Sequence, residues 1–459
     1  MRLSGRGGYH RGGRIVHQDC LVVLGQLKST EDLHKPVDIG CAATKRDNDA
    51  YGGATHSDGS ISGRGVRIIG AAFPASLCHT PKMGIQRALY VVQHHEYSGA
   101  ETSQAPVIRA DPDALVACPA GSQSERFAHS LGARTVDLPF RPLRHSRGWL
   151  ETLRSIPRGL GSAYRLRALL RQHPDRKVVY GISIRPAMLA SLAALGLRRT
   201  VIWCVPDLLP PPPLGALVRL LAWIRADGIV CLSEYIADEF VGSSGRLARL
   251  SRVIHPGVDA ARLDPGTVEP GAPCAAIVGH ISPVKRTDLA VDICALVTLV
   301  NSRFTLRVIG SAQFRDEDFE LERTIRARIE TDSSVAKSVH LLGRQADVSA
   351  SLIGCGMLLH CRADEPFGMV MVEAMGLGLP VVAPASGGAL EIVEDGVSGF
   401  LYPPGNVARA ADCVVRLISD RSLAASMSQA ARRRVEDNFT VKRQVDLTSQ
   451  VASASTEPA

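Results

Sequence analysis

Two successive series of short Val/Ile-rich runs, each run followed by a helical or polar stretch, constrain this 459-residue chain more than any other feature. The first series occupies 87–93, 114–118, 134–138, 177–182, 200–205 and 227–232. The second occupies 274–282, 304–310, 338–343, 355–360, 380–383 and 399–402. Strands that are apolar throughout must be covered on both faces, and strands spaced by helices are joined by crossovers. Each series therefore predicts a parallel sheet clad in helices. Between them, residues 255–273 repeat Gly and Pro without periodicity, which predicts an interdomain linker. The expected fold class is α/β: two Rossmann-like doubly wound domains facing a central cleft, with ligand at the carboxyl ends of the strands. The expected bounds are 83–260 for the first domain, 261–430 for the second and 431–459 for a terminal segment.

Residues 1–82 differ from the rest. "GRGGYHRGGR" and "YGGATHSDGSISGRG" are too poor in apolar side chains to offset the entropy of ordering, so a disordered extension is expected. "MGIQRALYVVQ" then turns abruptly apolar, which suggests Met83 as the functional start. No run of 18 apolar residues suggests a membrane span, and the first 15 residues lack an apolar leader core. The eleven cysteines are scattered without a CxxC or Cys/His cluster, and are expected to be reduced thiols in a cytoplasmic protein. The net charge of +8 is concentrated: between Arg141 and Lys177 ten Lys/Arg face only Glu151 and Asp175. Trp149, Leu150, Leu153 and Ile156 interleave with these charges. A solvated helix face accounts for such a stretch. The functional alternative is an anionic membrane surface or a phosphorylated acceptor, placing the protein peripherally on the inner face of the plasma membrane. Nucleic acid is not expected as a partner, because no stacking platform or recognition motif accompanies the charge.

"EPFGMVMVEAM" (365–375) sets two carboxylates eight positions apart in an otherwise buried-helix pattern. The helix is expected to begin near Phe367. The amides of Phe367, Gly368, Met369 and Val370 would then lack intrahelical acceptors and form a diphosphate site at the positive end of the helix dipole. Gly368 leaves room for close approach. Glu373 would lie at most about 12 Å from Glu365 along the axis, so the two carboxylates can serve opposite ends of an elongated ligand. A carboxylate can accept both hydroxyls of a ribose diol.

Cations for a diphosphate should come from another loop. "GHISPVKRTD" (279–288) follows the first strand of the second series and offers His280, Lys285 and Arg286. Gly387 and Gly388 precede another helix and permit close backbone approach. In the first domain, Ser98, Gly99, Ala100 and Glu101 form a small-residue turn leading into a helix, which suits a loop lining the cleft. His94 and His95 precede it and are acid/base candidates of the kind usually found simply solvated.

These segments resemble the retaining glycosyltransferases of family 4, the "group 1" transferases with the GT-B fold. The likeness runs from about Met83 to Val451 and is most specific in "EPFGMVMVEAMGLGLPVVA" and "SGGALEIVEDGVSGFLYPPGN". "YSGAETS", "IVCLSEYIADEFV", "VIHPGVD" and "GHISPVKRTDLAVDICA" support it. "ARRRVEDNFT" (431–440) is similar to the family's terminal helix, which crosses back to the first domain before a disordered tail.

The resemblance implies a nucleotide-sugar donor on the second domain and a glycan, lipid or small-molecule acceptor mainly on the first, with retention of anomeric configuration. It assigns Glu373 to the ribose, Glu365 to the donor sugar and diphosphate, and Lys285 with the 367–370 amides to the phosphates. No metal or other cofactor is implied beyond the nucleotide-diphosphate sugar as co-substrate. "RDEDFE" (315–320) is expected to be a helix start rather than a metal-binding carboxylate pair. Two departures stand out. His280 occupies the place of an arginine that normally shares the diphosphate, which Arg286 would have to replace. Pro206 occupies the place of a histidine at the strand end "VIWCVPDLLP" (201–210), leaving Asp207 or a neighbour to act there. A non-catalytic nucleotide-sugar-binding protein or a GT-B sugar-nucleotide epimerase are the alternative readings.

Overall fold

The computed structural model describes residues 85, 87–93, 99–139, 149–260, 263, 268–345 and 347–456, with the side chains of 149–158 outside that description. The expected extension 1–82, the Met83 start and the tail 457–459 lie outside the described residues. The chain from Pro81 onward forms one compact unit.

That unit contains two all-parallel sheets. The first comprises β1 (Ala88–Val91), β2 (Leu115–Cys118), β3 (Arg134–Asp137), β4 (Val178–Ile182), β5 (Thr200–Val205), β6 (Gly228–Cys231) and β7 (Ser251–Val253), in the order β3-β2-β1-β4-β5-β6-β7. The second comprises β8 (Cys274–Val278), β9 (Thr305–Ile309), β10 (Val339–Gly343), β11 (Met357–Leu359), β12 (Val381–Pro384) and β13 (Gly399–Tyr402), in the order β10-β9-β8-β11-β12-β13. All twelve strands expected from apolar runs are present. β7 is the exception that sequence gave no sign of: "SRV" is short and only part-buried, and it holds its place by pairing with Ile229–Cys231.

The expected two-domain α/β class is therefore the observed one. Strand order reverses between β1 and β4 in the first sheet and between β8 and β11 in the second. These switch points open crevices at the carboxyl ends of the strands. The carboxyl edges of the two sheets face each other, since Ser233, just after β6, donates its hydroxyl to the Pro366 carbonyl, just after β11. Trp203, Tyr90 and Tyr180 are fully buried in the first core. Met357, Leu359 and Val382 lie in the second and Leu358, Met371 and Val381 in a layer behind it.

The return crossing lies further along the chain than expected. The helix Arg421–Asn438, which contains most of "ARRRVEDNFT", stays on the second domain against the helix Met369–Gly376. The helix Val441–Thr456 crosses to the first domain and packs on β5, β6 and the helix Gly99–Arg109. Buried Gln444 staples the crossing: its Oε1 accepts the Gly257 amide at 2.9 Å, and its Nε2 donates to the Ser103 carbonyl at 2.7 Å. The outgoing strand of the linker runs beside the return, with Val258 bridged to Thr440. A Cβ at Gly257 would fall 2.3 Å from the Thr440 backbone. Gly257→Ala is therefore expected to push the two crossings apart and destabilise the protein by about 1–3 kcal/mol, measured by urea denaturation against the wild type.

Candidate active site

The loops leaving β8 and β11 meet over the switch point of the second sheet. The β8 loop carries Lys285, and the β11 loop carries Glu365, which is 7% exposed. Lys285 Nζ donates to Glu365 Oε2 at 2.7 Å. Two further cationic or ring partners, which sequence reasoning missed, stand on the β11 loop itself. His360 Nε2 approaches the same oxygen to 3.3 Å, and Arg362 lies 3.9 Å from Oε1. His360 is buried, and its contact is a close approach without hydrogen-bond alignment. Burial by itself raises the Glu365 pKa, but the His360 ring, Lys285 and Arg362 outweigh it and hold the carboxyl well below the usual carboxylate range. The only sequence sign of His360 and Arg362 was their place at the end of an apolar run.

The following helix is Met369–Gly376, two residues later than expected, with Gly368 as its N-cap at φ 111°. Met371 N–H bonds to the Gly368 carbonyl. The amides of Phe367, Gly368, Met369 and Val370 have no partner among the described residues. The Phe367 side chain is structural: it stacks on His255 at 5.5 Å and meets Phe439 edge-on at 6.0 Å. Gly387 and Gly388 also act differently from expectation. A Cβ on Gly387 would lie 2.6 Å from the Glu365 carbonyl oxygen, and one on Gly388 2.2 Å from that of Phe367. The close approach they permit is to the chain's own 365–367 backbone, which Gly388 N–H also binds through Glu365 O at 2.8 Å.

On the helix, Met371, Val372, Ala374 and Met375 are buried, whereas Met369, Val370 and Glu373 share the part-exposed face. The Glu373 carboxylate has no hydrogen bond or ion pair among the described residues, and burial pushes its pKa up to about 7. Most of the charged form's solvation is lost with nothing among the described residues to replace it. That is the state of a carboxylate awaiting a donor from elsewhere.

The remaining expected residues separate into those near this set and those turned away. His280, after β8, is half-buried against the edge of Phe314 at 5.4 Å. Burial, followed by the Lys285 charge, lowers its pKa, which favours the neutral ring over a replacement cation. Arg286 is tied to Asp288 by bonds of 3.2–3.3 Å, so Arg362, rather than Arg286, is the second guanidinium beside Glu365. Beside His280 lies a pocket of about 230 Å³, lined also by Ser282, Phe314, Arg315 and Asp318. Asp318 caps the helix Asp316–Thr331 by accepting the Phe314 and Arg315 amides, so "RDEDFE" is a helix start. Among the described residues no group of three His, Cys, Asp or Glu is placed to hold a metal ion.

In the first domain, Gly99 and Ala100 open the helix Gly99–Arg109 after β1, with Glu101 buried in its first turn. Ser98, His94 and His95 lie outside the described residues. Asp207 is exposed just beyond β5, behind buried Pro206. Of the basic stretch, Arg141, Arg144 and Arg147 lie outside the described residues, as do the side chains of Arg154 and Arg158. Two others serve the fold and not a surface: buried Arg176 binds the Asp113 carbonyl, and Arg167 binds Ala193 and Leu195 carbonyls at a helix end. Among the described residues no helix is long and apolar enough to cross a membrane.

Residues 265–434 match the family of glycosyl transferases group 1, and residues 109–262 match glycosyltransferase family 4. The D-inositol 3-phosphate glycosyltransferase of Kribbella flavida is 28% identical over 241 residues, covering 49% of this chain and 56% of that protein. The enzyme of the same name from Salinispora arenicola is 30% identical over 243 residues, covering 48% and 53% respectively. The chain thus spans about half the length of the curated relatives it matches. Anabaena Alr3699/HepE, solved in complex with UDP-glucose, superposes with a TM-score of 0.67 at 22% identity, over 81% of this chain and 100% of that one.

Glu373 also makes the site's state readable in stability. A carboxyl whose folded pKa lies above its unfolded value keeps a proton that the unfolded chain has lost. The stability that proton supplies is present at low pH and fades as pH rises from about 4.5 to about 7. Glu373→Gln is expected to remove that slope and to stabilise the ligand-free protein at pH 8 by about 1–3 kcal/mol, measured by urea denaturation across the pH range.

Proposed function

The chain belongs to the group 1 glycosyltransferases of GT-B fold, and from that premise we propose that it moves a hexose-type sugar from a nucleotide-diphosphate sugar to a hydroxyl of a glycan, lipid or small-molecule acceptor, with retention of configuration. The observation that carries the reading is the Lys285–Glu365 pair beside four amides without a partner among the described residues, with Glu373 on the part-exposed face of the same helix. The diphosphate sits at the 367–370 amides with Lys285, where helix dipole and ammonium both favour anionic oxygens. Glu373 accepts the ribose hydroxyls. Those donors favour its charged form, so donor binding offsets the cost of burial. Glu365 lies at the sugar end, with Arg362 beside it.

In the chemical step the C1–oxygen bond to the diphosphate breaks and a bond from the acceptor oxygen to C1 forms on the same face. The acceptor proton passes to the departing diphosphate. Negative charge grows on the leaving group, and preorganised donors around it supply the larger part of the catalysis. No metal takes part in this scheme. Asp207 and the loop opening at Gly99 orient the acceptor from the first domain. A UDP-sugar is the first donor to try, because HepE was solved with UDP-glucose.

The neutral His280 and the engaged Arg286 favour a second reading, a donor-binding protein without turnover. Thermal-shift titration with UDP-, GDP-, ADP- and TDP-sugars, followed by transfer assays on a broad acceptor panel, separates the two. A donor at a hundred times its dissociation constant should stabilise by about 2.7 kcal/mol. Glu373→Ala should abolish that shift in a folded protein, and Lys285→Ala should lower kcat by about 100-fold or more. A shift that survives Glu373→Ala overturns the ribose assignment. Anomeric inversion in the product, read by NMR, overturns the stereochemical one.

A further inference from the structure

The helix Leu214–Arg225 is built inside out. Its core-facing positions are Gly215, Val218 and Ala222, all buried. Its largest apolar side chains point the other way: Leu217 is 54% exposed, Leu220 52%, Trp223 49% and Ile224 54%, and Leu214 at the first turn is also exposed. At 100° per residue, Leu217, Leu220 and Ile224 fall on one stripe opposite the buried trio. Single exposed leucines need no explanation, but a continuous stripe of five large side chains on one helix does.

Charge indicates what covers it. From Leu208 to Ala226 there is no carboxylate, and from Gly242 to Val258 there is again none. The second interval contains the helix Gly245–Leu250, which packs beside the stripe and exposes Arg246 and Arg249. Arg246 lies over the Trp223 ring at 5.8 Å and donates to the Trp223 carbonyl at 2.7 Å. Of the nearest acids, Asp227 is paired with Arg225, and Glu239 accepts the Leu209 amide. An apolar stripe with a terminal tryptophan, bordered by arginines, matches the layering of a bilayer surface: acyl chains, interface and anionic headgroups.

We propose that the solvent face of helix Leu214–Arg225, with Arg246 and Arg249 of the adjoining helix, docks this protein onto an anionic lipid bilayer. The residues of this surface lie outside the stretch 141–177 in sequence, and the inference stands independently of the donor chemistry proposed above. The full chain is sedimented with phosphatidylcholine vesicles with and without phosphatidylglycerol, at rising salt. Binding to the anionic vesicles that weakens with salt is expected. Leu217→Gln/Leu220→Gln/Ile224→Gln should weaken that binding at least about tenfold while melting temperature and donor-induced thermal shift stay unchanged. Arg246→Glu/Arg249→Glu should abolish the preference for anionic over neutral vesicles, and tests the same surface if the triple variant does not fold. The proposal is overturned if wild-type protein ignores the vesicles or if both variants bind them as well as wild type. It is equally overturned by a lipid-independent dimer, seen by light scattering, that the triple variant dissociates.

Discussion

A lysine and a glutamate 2.7 Å apart, both largely removed from water, tie together the two loops on which the second domain's site is built. Such a pair is a poor device for stability alone, since desolvating each ion costs several kcal/mol and the attraction does little more than recover it. Its value is positional. Lys285 rides on the loop after β8 and Glu365 on the loop after β11, so the contact fixes both lips of the switch-point crevice. With Arg362 and the His360 ring around the same carboxylate, Glu365 stays ionised throughout the neutral range. The crevice thereby presents fixed charges before any ligand arrives, which is the arrangement that lowers reorganisation during reaction.

The same loop is gripped from two other directions. Gly387 and Gly388 press on the backbone of 365–367 from behind, and Ser233 of the first domain holds the Pro366 carbonyl from across the cleft. Glu391, a few residues beyond the glycines, reaches the first domain too. Its carboxylate accepts the amides of Glu234 and Tyr235 at 2.8 and 3.0 Å, at the N-terminus of a helix. It also meets His255 of the linker at 2.8 Å, and that ring stacks on Phe367. Domain approach and the shape of the β11 loop are therefore one mechanical variable. A change that loosens the Glu391 seat acts on the site without touching it.

What the sequence revealed and what it hid have physical explanations. Apolar runs announce strands, so twelve of the thirteen described strands were legible, the edge strands β3, β10 and β13 among them, whereas the edge strand β7, with Arg252 at its centre, was not. The pair Glu365 and Glu373 was legible because carboxylates are out of place in a buried pattern. Their partners were harder: His360 lies within an apolar run, and Arg362 could not be told from any loop arginine. Arg286 looked like the natural second cation by proximity to Lys285, but its neighbour Asp288 captures it. The glycine pair showed that something approached closely without showing that the visitor was the chain itself. Net charge alone did not separate the cations between 141 and 177 by role: Arg176 is buried and Arg167 binds carbonyls at a helix end, whereas Arg165, Arg171 and Lys177 are exposed.

The long return of the last helix has a consequence for how such a molecule can be divided. Thr200, Asp227 and Ser103 in the first half are bonded to Ser455 and Gln444 at the far end of the chain. A fragment cut within the linker would lack the cover for β5 and β6, while the other fragment would carry an apolar arm with nothing to clasp. Neither half is a self-sufficient module, although each holds a complete sheet. Shuffling halves between relatives would therefore have to carry the final sixteen residues of helix with the first half rather than the second. Spatial ownership and gene order disagree at this one segment, and a recombination scheme drawn on the gene alone would break the protein there.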